Sequence, residues 1–107
     1  VVEGEAVAVV RRLLTHLREH GLEPAFGVVF GCWARGSAGP WSDIDVLVVS
    51  PHFDPPVEWA TVAALWRLAA RVDARLEPRP CGLRQWAEDR GSLIVEVARR
   101  EGTPVAV

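Results

Sequence analysis

Apolar residues recur at helical spacing between Glu5 and His20, at Ala6, Val10, Leu13, Leu14 and Leu17, and Gly21 follows where a left-handed cap belongs. That pattern predicts an amphipathic helix. After Pro24 the period changes, and Ala25 to Phe30 is a short apolar run closed by Gly31, as expected of a buried strand. Gly31 to Gly36 needs backbone freedom, with a short helical turn expected from Cys32, and Ser37 to Ser42 is a predicted loop holding Gly39 and Pro40. Ile44 to Val49 is a continuous branched-aliphatic run, the mark of a central strand covered on both faces.

Beyond Pro51, Asp54 is a candidate cap and Pro55 a candidate first helical residue. The helix they would start has Val62, Leu65, Trp66 and Ala69 on its apolar face and ends near Arg71. Val72 to Glu77 alternates, with Asp73, Arg75 and Glu77 on one side, and predicts a strand that Pro78 and Pro80 end. Leu83 to Glu88 reads as a short helix around Trp86, Ser92 as the cap of a helix through Arg100, and Val105 to Val107 as a last short strand. The expected architecture is α/β: a mixed sheet of three main strands and a short fourth, packed with helices, with Trp59, Trp66 and Trp86 in the core. At 107 residues this is one domain, residues 1–107, and no internal repeat or low-complexity segment interrupts it.

Half the residues are hydrophobic and 24% charged, a globular balance. The net charge of −2 and pI near 5.9 argue against a nucleic-acid-binding surface, although a short basic patch is compatible with them. All twelve basic residues are arginine, and tyrosine and methionine are absent, a compositional bias that carries no functional reading. Cys32 and Cys81 stand far apart outside any CxxC pattern, so neither a disulfide framework nor a zinc site is expected. With no apolar run of membrane-spanning length and two glutamates rather than basic residues in Val1 to Ala8, the expectation is a cytoplasmic protein without a membrane segment.

Chemistry concentrates in Phe30 to Val49, FGCWARGSAGPWSDIDVLVV. Asp43 and Asp45, one residue apart at the start of a strand, project to the same face, and their repulsion has to be offset. A hard divalent cation does this most simply, because paired carboxylate oxygens are its preferred ligands, and Mg2+ commonly brings substrate phosphates with it. Other phosphate motifs fail. Gly31 and Gly36 have GxxxxG spacing, but Ser37 and Ala38 follow where a Walker A loop has Lys and Ser or Thr, and no GxGxxG follows the strand. His16, Glu19 and His20 match HxxEH formally, yet lack an evident third ligand and fall in the last helical turn, where histidines suit the negative end of the dipole.

The glycine-ended strand, the tripeptide Ala34-Arg35-Gly36 and the segment Ser42-Asp43-Ile44-Asp45-Val46 resemble the minimal nucleotidyltransferase family, relatives of the DNA polymerase beta palm. Glu77-Pro78 with the short helix after it, and the tail SLIVEVARREGTPV, extend the resemblance over most of the chain. It implies a polymerase beta-like fold and Mg2+-dependent transfer of a nucleoside monophosphate from an NTP, with ATP the expected nucleotide, to an acceptor hydroxyl. Asp43, Asp45 and a third carboxylate would hold the metal; Glu77 fits the family spacing, with Asp73 as second candidate. Gly31, Cys32, Arg35 and Ser42 fall where the family binds nucleotide. Cys32 departs from the family serine and replaces a hydroxyl donor by a weak thiol; the alternative is therefore a site kept only as part of the fold. Arg35 can contact a phosphate or pair with an aspartate, and Trp33 and Trp41 can stack on a base or pack. The family also implies a second role: the antitoxin half of a toxin–antitoxin module, binding and neutralising an all-helical HEPN-type partner, with or without catalysis. A nucleotide-binding regulatory subunit without turnover is a third.

Overall fold

A computed structural model of the chain describes residues 2–31, 42–89 and 91–107. The first helix, α1, runs Val2–Glu19. Its stripe of Ala6, Val9, Val10, Leu13, Leu14 and Leu17 is buried, as the spacing requires. Gly21 ends it with φ of 84°, while the Leu22 N–H donates to the Leu17 carbonyl at 3.0 Å and the Gly21 N–H to Arg18 at 3.2 Å. Those two bonds are a Schellman cap, and the positive φ explains the glycine.

The strands are β1 (Phe26–Phe30), β2 (Ile44–Ser50), β3 (Leu76–Gly82) and β4 (Thr103–Ala106). They form one mixed sheet in the order β3-β2-β1-β4, with β1 antiparallel to β2 and β4 and β3 parallel to β2. The parallel pair needs a crossover. It is made by a 3-10 turn, Pro51–Phe53, and α2, Trp59–Val72. Two short helices, α3 (Leu83–Glu88) and α4 (Leu93–Glu101), then lead to β4.

Alternation divides the sheet between two cores. Val29, Ile44, Val46, Val48, Leu76 and Val105 pack with α1 and α2, whereas Val28, Phe30, Leu47, Val49 and Cys81 pack with Val95 and Ala98 of α4 and with Trp86 of α3. Burial pushes the Cys81 thiol up to about 11, so it is a packing group rather than a nucleophile. Arg99 fastens α4 to α3: its guanidinium donates to the Asp89 carbonyl, to Glu96 and to the Trp86 carbonyl, and lies 5.3 Å from the Trp86 ring. Among the described residues no helix is long and apolar enough to cross a membrane.

Several expectations need correction. The third strand is not Val72 to Glu77 but Leu76–Gly82, and Pro78 and Pro80 lie inside it. The Arg75 carbonyl accepts the Ile44 N–H at 2.8 Å, so odd-numbered backbone groups face β2 and the prolines turn toward the open edge. There a missing N–H costs no ladder bond and also blocks further strand pairing. Asp54 does not cap α2, which starts four residues after Pro55 behind Glu58 with no side-chain cap. Its carboxylate instead accepts the N–H groups of Arg84 (3.1 Å) and Gln85 (3.4 Å), satisfying orphan donors of α3 from 30 residues away. Trp59 and Trp66 are not core residues: they are 84% and 42% exposed, because α2 buries the face of Leu65, Leu68 and Ala69. The predicted turn at Cys32 and the loop through Trp41 lie outside the described residues.

Candidate functional site

Strand register decides which carboxylates meet. Phe30 at the end of β1 pairs with Asp45 on β2, and Asp45 pairs in turn with Glu77 on β3. Asp45 is therefore the centre of a three-strand edge. Asp43 precedes it by two residues and Glu77 lies beside it, so all three side chains belong to the sheet face that α3 and α4 cover further along. Asp43 is exposed, and Asp45 and Glu77 are half-buried.

Crowding shows in the proton affinity of Glu77. Partial burial, the charge of Asp43, and a hydrogen bond with Asp45 hold its carboxyl above the usual glutamate value. No Arg or His among the described residues forms an ion pair with any of the three. The result is a surplus of negative charge at one strand end, the donor chemistry that a hard divalent cation requires. Among the described residues no three His, Cys, Asp or Glu side chains already form a closed cage for a metal. The three carboxylates interact with one another at the end of the strands.

Gly31 supports the centre of this cluster. Its φ is 74°, and a Cβ built on it would lie 2.6 Å from Oδ2 of Asp45. The backbone of residue 31 therefore passes against the Asp45 carboxylate at a distance only glycine permits. Ser42 is half-buried immediately before Asp43. Cys32 and Arg35, like Trp33 and Trp41, lie outside the described residues.

Asp73 has a different setting. It is not on β3; it ends α2, where its N–H donates to the Ala69 carbonyl. Arg75 grips its carboxylate with the backbone N–H (2.9 Å), Nε (3.0 Å) and Nη2 (2.9 Å), and those bonds hold Asp73 below the usual aspartate range. The expectation that Asp73 and Glu77 share one strand face fails, because a turn at Asp73 to Arg75 separates them. The structure brings Asp43, Asp45 and Glu77 together and leaves Asp73 with Arg75.

Arg75 is the residue that pattern reading passed over. Its side chain ties Asp73 to Glu5 of α1, and its carbonyl receives the Ile44 N–H between the two site aspartates. It links the start of β2, through its carbonyl, to Glu5 of α1, 70 residues away in sequence, beyond the reach of any local pattern. The HxxEH residues assemble no metal site: Nδ1 of His20 is 2.9 Å from the His16 carbonyl, and the two rings are tilted at 59° with centroids 4.4 Å apart.

Comparison with known proteins agrees with this geometry. The family model described as a nucleotidyltransferase domain matches residues 10–79, from α1 through the first half of β3. A crystal structure of a Sulfolobus solfataricus protein assigned as a nucleotidyltransferase superposes with a TM-score of 0.64 at 12% identity, covering 96% of this chain and 81% of that one. At that identity the likeness is one of fold. No curated protein matches the sequence.

Proposed function

This chain belongs to the nucleotidyltransferase domain family, and from that premise we propose that it moves a nucleoside monophosphate from ATP to an acceptor hydroxyl in a Mg2+-dependent reaction. The observation that carries the proposal is the register of Asp45 beside Glu77 with Asp43 on the same face, charges that raise the proton affinity of Glu77. Asp43, Asp45 and Glu77 would hold the metal. Bound there, Mg2+ supplies neutralisation of the triphosphate and a lower pKa for the attacking hydroxyl.

The chain's own part is positioning. The acceptor oxygen forms a bond to the α-phosphorus as the α–β phosphoanhydride bond breaks, pyrophosphate leaves with the electron pair, and the hydroxyl proton passes to solvent. Gly31 keeps the Asp45 carboxylate accessible from the strand end, where a side chain at that position would fill the space. Burial and the charges of Asp43 and Asp45 make the Glu77 carboxyl hold a proton more tightly than an ordinary glutamate, so a cation held by these residues would compete with that proton. Gly31, Cys32, Arg35 and Ser42 are the proposed nucleotide contacts, with Cys32 offering a weaker donor than serine.

The test is calorimetric titration of ATP with and without Mg2+, into the native chain and into Asp43→Ala/Asp45→Ala. A binding component that needs Mg2+ and is lost in the double variant is the expected result; ATP binding with no component that needs both Mg2+ and the two aspartates removes the enzymatic reading.

A second reading has its own observation. Trp59 on α2 and Leu93 on α4 are 84% and 75% exposed, on helices that pack against opposite faces of the sheet, and each offers an apolar contact to a helical, HEPN-type partner of a binding subunit. In that role the partner's own hydroxyl can be the acceptor. If neutralisation of the partner survives Asp43→Ala/Asp45→Ala, binding alone suffices; if it is abolished, nucleotide transfer is the operative step.

A further inference from the structure

A cleft of about 630 Å3 lies along the outer side of α1 where α2 ends. Its α1 wall is a single helical stripe, Ala8, Arg11, Arg12, Thr15, His16 and Glu19, and Arg71 and Val72 of α2 close the other side. The volume is that of a small-molecule site. Three of the chain's twelve arginines line it against one carboxylate, in a protein whose net charge is −2.

Two of these three cations are not spent on structure. Arg12 is anchored by one bond, Nη2 to the Val72 carbonyl at 2.8 Å. The side chains of Arg11 and Arg71 form no hydrogen bond or ion pair with the described residues. Nε2 of His16, in the same wall, is buried without a hydrogen-bond partner, a condition native proteins avoid unless a ligand or water meets the group. The cleft is also on the far side of the sheet from the carboxylate cluster, since α1 and α2 pack on the face opposite α4.

We infer that this cleft binds a small phosphate-bearing ligand, at a site separate from Asp43, Asp45 and Glu77. Guanidinium forks match phosphate oxygens in geometry and charge. Arg12, held in place by Val72, sets the position, and Arg11 and Arg71 supply charge from the two walls.

Inorganic pyrophosphate and ADP, titrated separately in Mg2+-free buffer into the native chain and three double variants, test the inference. Saturable binding should weaken at least about tenfold in Arg11→Ala/Arg71→Ala. It should hold within about twofold in Arg84→Ala/Arg100→Ala, which removes the same charge elsewhere, and in Asp43→Ala/Asp45→Ala. Tighter binding of ADP would assign a nucleotide, and equal binding of the two the phosphate groups alone. No saturable binding by the native chain, equal loss in the Arg84/Arg100 pair, or loss in the aspartate pair would each overturn it. The side chains of Arg11 and Arg71 are exposed and bear no structural bond, so the folded state survives their replacement, which a melting curve verifies.

Discussion

Asp73 and Glu77 stand four residues apart on one segment and have opposite electrostatic fates. Asp73 is wrapped by Arg75 and held below the ordinary aspartate range, whereas Glu77 faces Asp43 and Asp45 and is held above the ordinary glutamate value. One carboxylate has been neutralised by its own chain. The other has no cationic partner among the described residues. A turn of three residues makes the difference, because it ends α2 at Asp73 and starts β3 in register with β2 only at Leu76. Acidic residues of similar sequence spacing thus divide into a structural brace and a candidate metal ligand by their backbone setting alone.

The strongest attack on this contrast is to exchange the roles. Asp43→Ala/Asp45→Ala should weaken Mg2+-dependent ATP binding by more than about 100-fold, as should chelation of the metal, while Asp73→Asn should leave it within about twofold. Titration calorimetry on the two variants decides it. Comparable losses in both would mean that Asp73 belongs to the site after all.

Next in size is Gly31→Ala. The methyl group would meet Oδ2 of Asp45 at 2.6 Å while the backbone sits at φ of 74°, so both the carboxylate and the turn are disturbed. Binding of Mg2+-ATP should fall about tenfold and the fold should lose about 1 kcal/mol or more, read from calorimetry and urea unfolding. The alanine variant separates crowding of Asp45 from loss of its charge, which Asp45→Ala cannot.

Much of this was legible in the sequence, and what was not has physical causes. The branched-aliphatic run of β2 and the stripe of α1 with its glycine cap announce themselves because burial on both faces, or on one, dictates residue type position by position. Asp43 and Asp45 follow from strand parity within that run. β3 was hidden by Pro78 and Pro80, which look like terminators until the strand is known to be an edge. Asp54 looked like the cap of the next helix in sequence but caps one 30 residues on, and Trp59 and Trp66 looked like core because size alone does not say which side of α2 faces the sheet. Glu77 emerged from a family resemblance rather than from alternation, since the alternating strand that seemed to join it to Asp73 is a turn.

A smaller effect tests the brace. Asp73→Asn removes the ionic part of the grip by Arg75, whose guanidinium still reaches Glu5 at 3.1 Å. The pair is only partly buried, so the expected cost is modest, a fall in Tm of roughly 4–8 °C at neutral pH. Thermal melting followed by circular dichroism measures it, and an unchanged Tm would show that the backbone turn, not the ion pair, fixes the segment.

The smallest effect is the most specific, because the two carboxylates tilt stability in opposite directions with pH. Glu77 keeps a proton in the folded chain that an unfolded chain has lost. Its contribution is therefore present below the ordinary glutamate value of 4.5 and lost as pH rises from there through the raised value. Asp73 does the reverse, stabilising above the ordinary 3.8 and losing that contribution as pH falls toward its lowered value. Without Mg2+, Glu77→Gln should flatten the decline in Tm above pH 4.5 and leave the acid side untouched. Asp73→Asn should flatten the acid side only in part, since Asp89, held low by the Gly91 N–H, contributes there too. Adding Mg2+ should cancel the Glu77 slope in the native chain, because the cation favours ionised carboxylates, and do nothing to the slope of Asp73. A Glu77→Gln profile that still declines would place the crowding of charge elsewhere than at the pairing of β2 with β3.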